Sequence, residues 1–416
     1  MKEYAGKVLM FVENRYPYDM RVRNEATALS DAGYKVTVIG LGSKNDKRYE
    51  IVSGVAAYRI PTVTLFNKTN KNDATPFKKL ISSVKTLIGY IFEYSYFTMG
   101  SFIVSLFVYA KERFDVVHLH NPPDTLFIIA LFYKFLGKKI VFDHHDLSPE
   151  LYLSRYYIKP DEGGTVYRTL LLLEKFNLKL ADVIIATNES YRDNDIQRGK
   201  LNVRKVFVVR NGPDLNRMKL MPPDERTVRM GKKILVYIGV MGPQDGVDYL
   251  LRSIHCLVYD LDRNDFYCIL IGKGDSLDDL KALAVELKIT DYIWFTGFIP
   301  EEDLLRYLST ADICVDPDPS SPLNNVSTWI KIMEYMALEK PIVTFDLKET
   351  RYSAQDAALY VRPNDELGFA QAIVDLMDNP ELRKKMGKLG RMRIEQELQW
   401  DIVKHNLLNA YKSLSH

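Results

Sequence analysis

The sequence predicts an α/β protein built from two Rossmann-like domains, and three observations carry that expectation. Short apolar runs alternate with stretches of helical spacing along almost the whole chain. The alternation breaks around Met218–Gly231, where Met221–Arg226 is polar and proline-bearing, and then resumes. The chain has 416 residues, more than one ordinary core takes, so two domains of ~200 residues are expected.

In chain order, Lys7–Val12 is an apolar run bounded by polar residues, the pattern of a buried strand. Asp19–Ala32 follows with Val22, Ala26 and Leu29 at helical spacing, Gly33 ends it, and Lys35–Leu41 is the next strand. This rhythm signals a parallel sheet with crossover helices. It continues through Val55–Ile60, Asp115–Leu119, Lys139–Phe142, Asp182–Ala186 and Lys205–Val209, which fits one doubly wound domain over 1–217. A second series comprises Lys233–Ile238, Tyr267–Ile271, Tyr292–Phe295, Asp312–Val315, Pro341–Phe345 and Ala358–Val361, giving a second domain over 218–399. The last helix, Trp400–Leu414, is amphipathic through Ile402, Leu407, Leu408 and Tyr411.

Hydrophobic content of 47% with 26% charged residues is that of a globular protein. A net charge of +2 asks for no nucleic-acid partner. Cys256, Cys268 and Cys314 show no paired spacing, which argues against a disulfide framework or zinc site and suits a reducing, cytoplasmic compartment. The stretch Gly89–Ala110 is long enough to cross a bilayer. Glu93, several serines and tyrosines, and its place between strands of one sheet point instead to a buried or interfacial helix. Lys78, Lys79 and Lys85 just upstream suit docking on an anionic membrane surface, with a core helix pair as the plain alternative.

In open parallel sheets, ligands bind beyond the carboxyl ends of the strands. The segments found there are His120-Asn121-Pro122-Pro123-Asp124, Asp143-His144-His145-Asp146, Arg210-Asn211-Gly212-Pro213-Asp214, the loop Gly239–Gly246, and Gly272-Lys273-Gly274. Two histidines beside two aspartates after a buried strand suggest a functional loop. His144 and His145 are adjacent and diverge, and no His-x-x-x-His or paired-cysteine spacing is present, so no catalytic metal is expected. Gly272-Lys273-Gly274 lacks the third glycine of a dinucleotide fingerprint. Asn324–Ala337 reads as a loop running into a short helix, with Ser327 or Thr328 placed to cap it and with Lys331 and Glu334 on one face. Loop amides, a helix N-terminus, a lysine and a carboxylate together suit a nucleotide diphosphate. A surface helix with one Lys/Glu pair is the alternative.

Taken together, these motifs resemble those of the retaining, nucleotide-sugar-dependent glycosyltransferases of family four, with the GT-B fold. The carriers are Asp19–Ala26, Asp143–Asp146, Asn211–Asp214, Gly239–Asp248, and Lys331-x-x-Glu334-Tyr335-Met336-Ala337 with Lys340–Val343. The resemblance implies two Rossmann-like domains facing across a cleft, the last helix crossing back so that 400–416 completes the first domain. The first domain would take the acceptor and the second the sugar nucleotide. By the resemblance, Glu334 binds the ribose, Phe298 lies where the base is held, and His145 contacts the donor sugar and reacting centre. The loops carrying Gly239, Gly242, Gln244, Asn325, Ser327 and Thr328 face the diphosphate and sugar, while Asp19, Arg21, His120 and Asp146 lie on the acceptor side.

The chain also departs from the family pattern. Val326 stands where a sugar-binding glutamate is usual, and Val240 and Asp245 stand where an arginine and a lysine neutralise the diphosphate. Lys331, with the helix N-terminus beside Thr328 and with Arg210, is expected to replace that pair. The implied reaction moves a sugar from a nucleotide diphosphate to a hydroxyl of a saccharide or lipid-linked acceptor, with retention and without a cofactor. It would take place in the cytoplasm or on the inner face of the plasma membrane. A sugar-nucleotide epimerase or hydrolase of the same fold, and a non-catalytic nucleotide-sugar-binding protein, are the alternatives.

Overall fold

The computed structural model describes residues 5–63, 76–156, 158–228 and 230–415, with the side chains of 76–88 outside the description. Lys78, Lys79 and Lys85 therefore lie outside the described side chains. The chain divides into two compact units. The first comprises Met1–Leu153, Lys159–Arg210 and Lys404–His416, and the second Ser154–Ile158 and Asn211–Val403.

The first unit is organised on an eight-stranded sheet. Its strands are β1 (Gly6–Arg15), β2 (Tyr34–Gly42), β3 (Tyr49–Val52), β4 (Val55–Pro61), β5 (Val116–His120), β6 (Lys139–His144), β7 (Val183–Ala186) and β8 (Val206–Val208). They lie in the order β3-β4-β2-β1-β5-β6-β7-β8. All neighbours are parallel except β3, which pairs antiparallel with β4. Leu9, Met10, Phe11, Val117 and Leu119 are fully buried, because the central strands are covered on both faces and so read as unbroken apolar runs. β3 was not expected from the sequence. It is short, half exposed and joined to β4 through Ser53 and Gly54, whose positive φ values (50° and 82°) make a tight two-residue hairpin turn. Helices α1 (Met20–Asp31), α2 (Pro76–Glu112), α3 (Phe127–Phe135), α4 (Ser148–Arg155) and α5 (Gly164–Leu180) connect these strands. The helix Trp400–Lys412 reaches the first unit at its far end, where Tyr411 packs edge-on against Tyr34.

The second unit carries a six-stranded, wholly parallel sheet of β9 (Lys233–Ile238), β10 (Phe266–Ile271), β11 (Ile293–Gly297), β12 (Ile313–Asp316), β13 (Ile342–Phe345) and β14 (Ala358–Val361). Its order, β11-β10-β9-β12-β13-β14, is that of a Rossmann sheet, with the strand order reversing between β9 and β12. In the first unit the corresponding reversal falls between β1 and β5. Those two switch points place the candidate site residues.

Candidate functional site

The loops at the first switch point are held by a buried ion network. Arg21, on α1, is 8% exposed and clamps Asp143 at the end of β6 with two hydrogen bonds of 2.7 Å. Its third nitrogen donates to the Val209 carbonyl, and Glu25 lies 3.2 Å away. The guanidinium holds the Asp143 carboxyl well below the usual range against the opposing effect of burial. Glu25 has no such clamp of its own. Burial, and then the Asp143 charge, push it well above the carboxylate range. His120 Nδ1 is 2.9 Å from Asp143, and His118 Nδ1 is 2.9 Å from the Tyr411 hydroxyl. Burial lowers both imidazoles, that of His118 strongly.

The expectation that His144 and His145 diverge holds. His144 turns to Asp195 at 2.6 Å, inside the first unit, whereas His145 Nδ1 faces Asp143 at 3.7 Å and is the partly exposed member of the pair. Burial works against charge on His145, but the hydrogen bond and charge of Asp143 outweigh it and hold the imidazole above the ordinary histidine range. Asn121 sets the loop: its carbonyl oxygen accepts from the amides of His145 (3.0 Å) and Asp146 (3.3 Å), and its amide donates to the Asp146 carbonyl at 2.6 Å. Asp19 caps α1 by accepting from the Val22 amide at 3.0 Å. Arg210 belongs to this unit, buried and paired with Glu189, so its charge is already matched there.

Four buried groups, Glu25, His118, His120 and Asp143, bring ligand atoms within 4.8 Å of one another. Two features weigh against a metal. Arg21 already supplies a permanent positive charge to both carboxylates. His120 Nδ1 and His118 Nδ1 are already engaged, by Asp143 and the Tyr411 hydroxyl at 2.9 Å each. Glu25, Asn121 and Tyr411 were named in the sequence without a role in the site, and His118 was missed. His118 was legible, since the alternation of a strand puts it on the same face as His120.

The second switch point is built from close backbone contacts. Gly246 has φ +63°, and a Cβ there would sit 2.0 Å from the Pro317 carbonyl, so the loop after β9 lies directly against the loop after β12. Gly272 has φ +140°, with a Cβ position 1.8 Å from the carbonyl of Gly239, so the loops after β9 and β10 touch as well. Gly242 takes the Asp245 carboxylate on its amide at 3.0 Å and lies under the Gln244 side chain. Asn324 ties the loops together by donating to the carbonyls of Gln244 (2.8 Å) and Pro319 (2.9 Å). Asn325 pairs with Ser320.

Two expectations at this loop are corrected. The helix Ile330–Ala337 is preceded by Trp329 with no side-chain cap. Ser327 donates to the Leu323 carbonyl of its own loop at 2.8 Å, and Thr328 reaches Glu349, on the helix Lys348–Ala354, at 3.3 Å. Lys331 is 7% exposed, and its ammonium is held by Asp316 (2.9 Å) and Asp318 (2.8 Å) above the Tyr237 ring. Burial opposes its charge, but the two aspartates outweigh that and raise it well above the lysine range. Lys331 therefore ties the helix to the loop after β12, its charge already spent on Asp316 and Asp318.

Glu334, one turn on, is partly open, with Arg217 at 3.9 Å, and burial raises its carboxyl. Phe298, following Gly297 (φ +71°), is 79% exposed, and Val240 is 59% exposed. Between them stands Lys273, exposed after β10, with its Cε 3.4 Å from the Cβ position of Gly297. No ion pair engages Lys273 among the described residues. Sequence reasoning set it aside with the failed dinucleotide fingerprint, although a lysine between two glycines after a buried strand was visible.

Comparison with known proteins agrees with this geometry. Residues 20–217 match a family model described as Glycosyltransferase Family 4, and residues 232–379 one described as Glycosyl transferases group 1. The α-maltose-1-phosphate synthase of Mycolicibacterium smegmatis is 24% identical over 332 residues, covering 73% of this chain and 80% of that protein. Sucrose-phosphate synthase from Thermosynechococcus elongatus superposes with a TM-score of 0.71 at 18% identity, over 98% of this chain and 99% of the other. An Anabaena protein solved in complex with UDP-glucose gives 0.68 at 14% identity, over 99% of both chains. The fold is that of the GT-B proteins. The chain belongs to the family-four type of glycosyltransferases.

Proposed function

We propose that the protein transfers a sugar from a nucleotide diphosphate donor to an acceptor hydroxyl, with retention at the anomeric carbon. The observation that carries this reading is the second switch point. There Glu334, exposed Phe298 and Lys273, with no ion pair among the described residues, stand around loops whose glycines let backbone approach backbone. Glu334 would take the ribose diol, Phe298 the base, and Lys273 the diphosphate in place of the missing basic pair. The UDP-glucose carried by the Anabaena neighbour makes a UDP sugar the first donor to try. The reaction's demand is to stabilise charge on the departing diphosphate and to orient the acceptor. In this reading the first unit takes the acceptor hydroxyl. His145, its imidazole raised above the ordinary range by Asp143, would orient the donor sugar at the reacting centre. No group is positioned as an enzyme nucleophile among the loops described, which favours attack on the same face the diphosphate leaves. The acceptor would be a saccharide or a lipid-linked saccharide, no metal would be required, and three free thiols suit the cytoplasm.

A thermal-shift screen of UDP, GDP and ADP sugars should give one selective stabilisation. Turnover of that donor with an acceptor panel should then give a product whose anomeric configuration, read by NMR, matches the donor's. An inverted product would overturn the retaining assignment. Free sugar released equally fast with and without acceptor would make the protein a hydrolase.

A further inference from the structure

Helix α2 is built inside out. Its buried face mixes Phe97 and Val108 with hydroxyls: Thr98 bonds Thr125 at 2.7 Å, Ser105 bonds Tyr133 at 2.8 Å, and Ser101 is fully buried. Its outer face carries Met99, Ile103 and Phe107, the first two 68% and 66% exposed. A helix that packs against a protein core and faces water has the opposite arrangement. Neighbouring α3 repeats the pattern, with Ile128, Leu131 and Phe135 exposed on one stripe and Phe135 at 83%. Phe102 meets Phe132 edge-on at 5.0 Å, so the two helices present one continuous apolar face. Contiguous apolar surface of this kind marks an interaction site. It is not a membrane span: Phe97 is fully buried, Gly100 lies against Ile60 of β4, and only one side of α2 is apolar and open.

We propose that the α2–α3 face seats this protein in the interfacial layer of an anionic lipid bilayer. Charge selects this occupant. At the end of α2, Arg113 and Lys138 flank the Tyr109 ring at 5.2 Å each, and Lys111 and Lys139 are exposed beside them. Of the acids beside them, Glu112 is matched by Lys35 and Asp182 by Lys134, and Asp115 takes the Lys7 backbone amide, so the four cations Lys111, Arg113, Lys138 and Lys139 outnumber the acids left open. An apolar face with a basic, aromatic rim complements anionic headgroups. The membrane seat rests on this surface alone. Only its extension, that the acceptor hydroxyl is presented at a lipid surface, rests on the transferase reading above.

Co-sedimentation of the full chain with phosphatidylglycerol–phosphatidylcholine vesicles, and with phosphatidylcholine vesicles, tests the proposal. The protein should sediment with the first and much less with the second. The triple variant M99S/I103S/F107S replaces exposed side chains only, so its melting temperature should hold while vesicle binding falls by roughly tenfold or more. The pair K138E/K139E should remove the preference for phosphatidylglycerol. Failure of the unmodified chain to sediment with either vesicle, or undiminished binding by the triple variant, would overturn the proposal. So would light scattering showing a dimer that the triple variant dissolves. Donor-induced thermal shift, read without vesicles, keeps failure of the membrane seat separate from failure of the transferase reading.

Discussion

At the strand ends of the first unit, Arg21, Glu25, His118, His120 and Asp143 are buried and matched to one another. At those of the second, Val240, Lys273 and Phe298 stand open over glycine-rich loops, with the Lys331 clamp, Asp245 and Asn324 buried beneath. One edge is preorganised by charges that satisfy each other. The other is a backbone frame that leaves its ligand-facing groups unspent. Substitutions in the first edge should therefore act on stability before activity, and exposed substitutions in the second on activity alone.

The largest effect is expected from Arg21→Ala. It leaves Asp143 and Glu25 buried without their cation, the circumstance that costs about 3–5 kcal/mol. Urea unfolding should show that loss. An unchanged midpoint would mean that the network is not what holds these loops. Lys331→Ala sharpens the comparison from the other side. It strips Asp316 and Asp318 of their cation, so a stability loss of about 3 kcal/mol should accompany any change in donor KM. If donor KM rose with stability untouched, Lys331 would be a diphosphate ligand as its sequence position suggested, and the clamp would be incidental.

Lys273→Ala should do the reverse. The side chain is exposed, with no ion pair among the described residues, so stability should stay within about 0.5 kcal/mol. A charged hydrogen bond contributes about 1.5–3 kcal/mol, so kcat/KM should fall roughly 10- to 150-fold. Partial rescue by Lys273→Arg would confirm a charge role. Full activity in the alanine variant would remove Lys273 from the site.

The contrast between the edges also explains what the sequence made legible. Both sheets could be read because their central strands, such as Val8–Val12 and Leu235–Ile238, are covered on both faces and admit almost nothing polar. β3 escaped because its exposed positions impose no such pattern. The divergence of His144 and His145 followed from adjacency. The partners of Lys331 did not, since Asp316 and Asp318 lie 15 and 13 residues upstream and reach it only through the turn of the loop after β12. The caps expected of Ser327 and Thr328 failed because a hydroxyl near a helix start can equally bond the preceding loop, as Ser327 does, or a distant side chain, as Thr328 does. The inverted face of α2 was hidden because composition does not reveal which side of a helix meets the sheet.

A further effect expected is a pH dependence carried in the first unit by His144. Its imidazole is buried, bonded to Asp195 at 2.6 Å and 3.7 Å from Glu174. Burial opposes its charge, but Asp195 outweighs this and raises it to about 10. Unfolded, the same group titrates near ~6.5. Because its folded value is the higher one, its contribution to stability is complete below that unfolded value and is lost as pH rises toward about 10. One proton sets the ceiling, a slope of about 1.4 kcal/mol per pH unit. His118 and His120 shift the other way, so their contribution is present above the unfolded value and lost as pH falls below it. Stability should therefore fall on both sides of near-neutral pH, from different histidines. His144→Asn can still donate to Asp195 but cannot titrate. Between about pH 7 and 8, below the unfolded range of the buried thiols and phenols, urea midpoints should fall less steeply in that variant than in the parent, while the acid limb stays the same in both. An alkaline limb that survives the substitution would have to come from other groups.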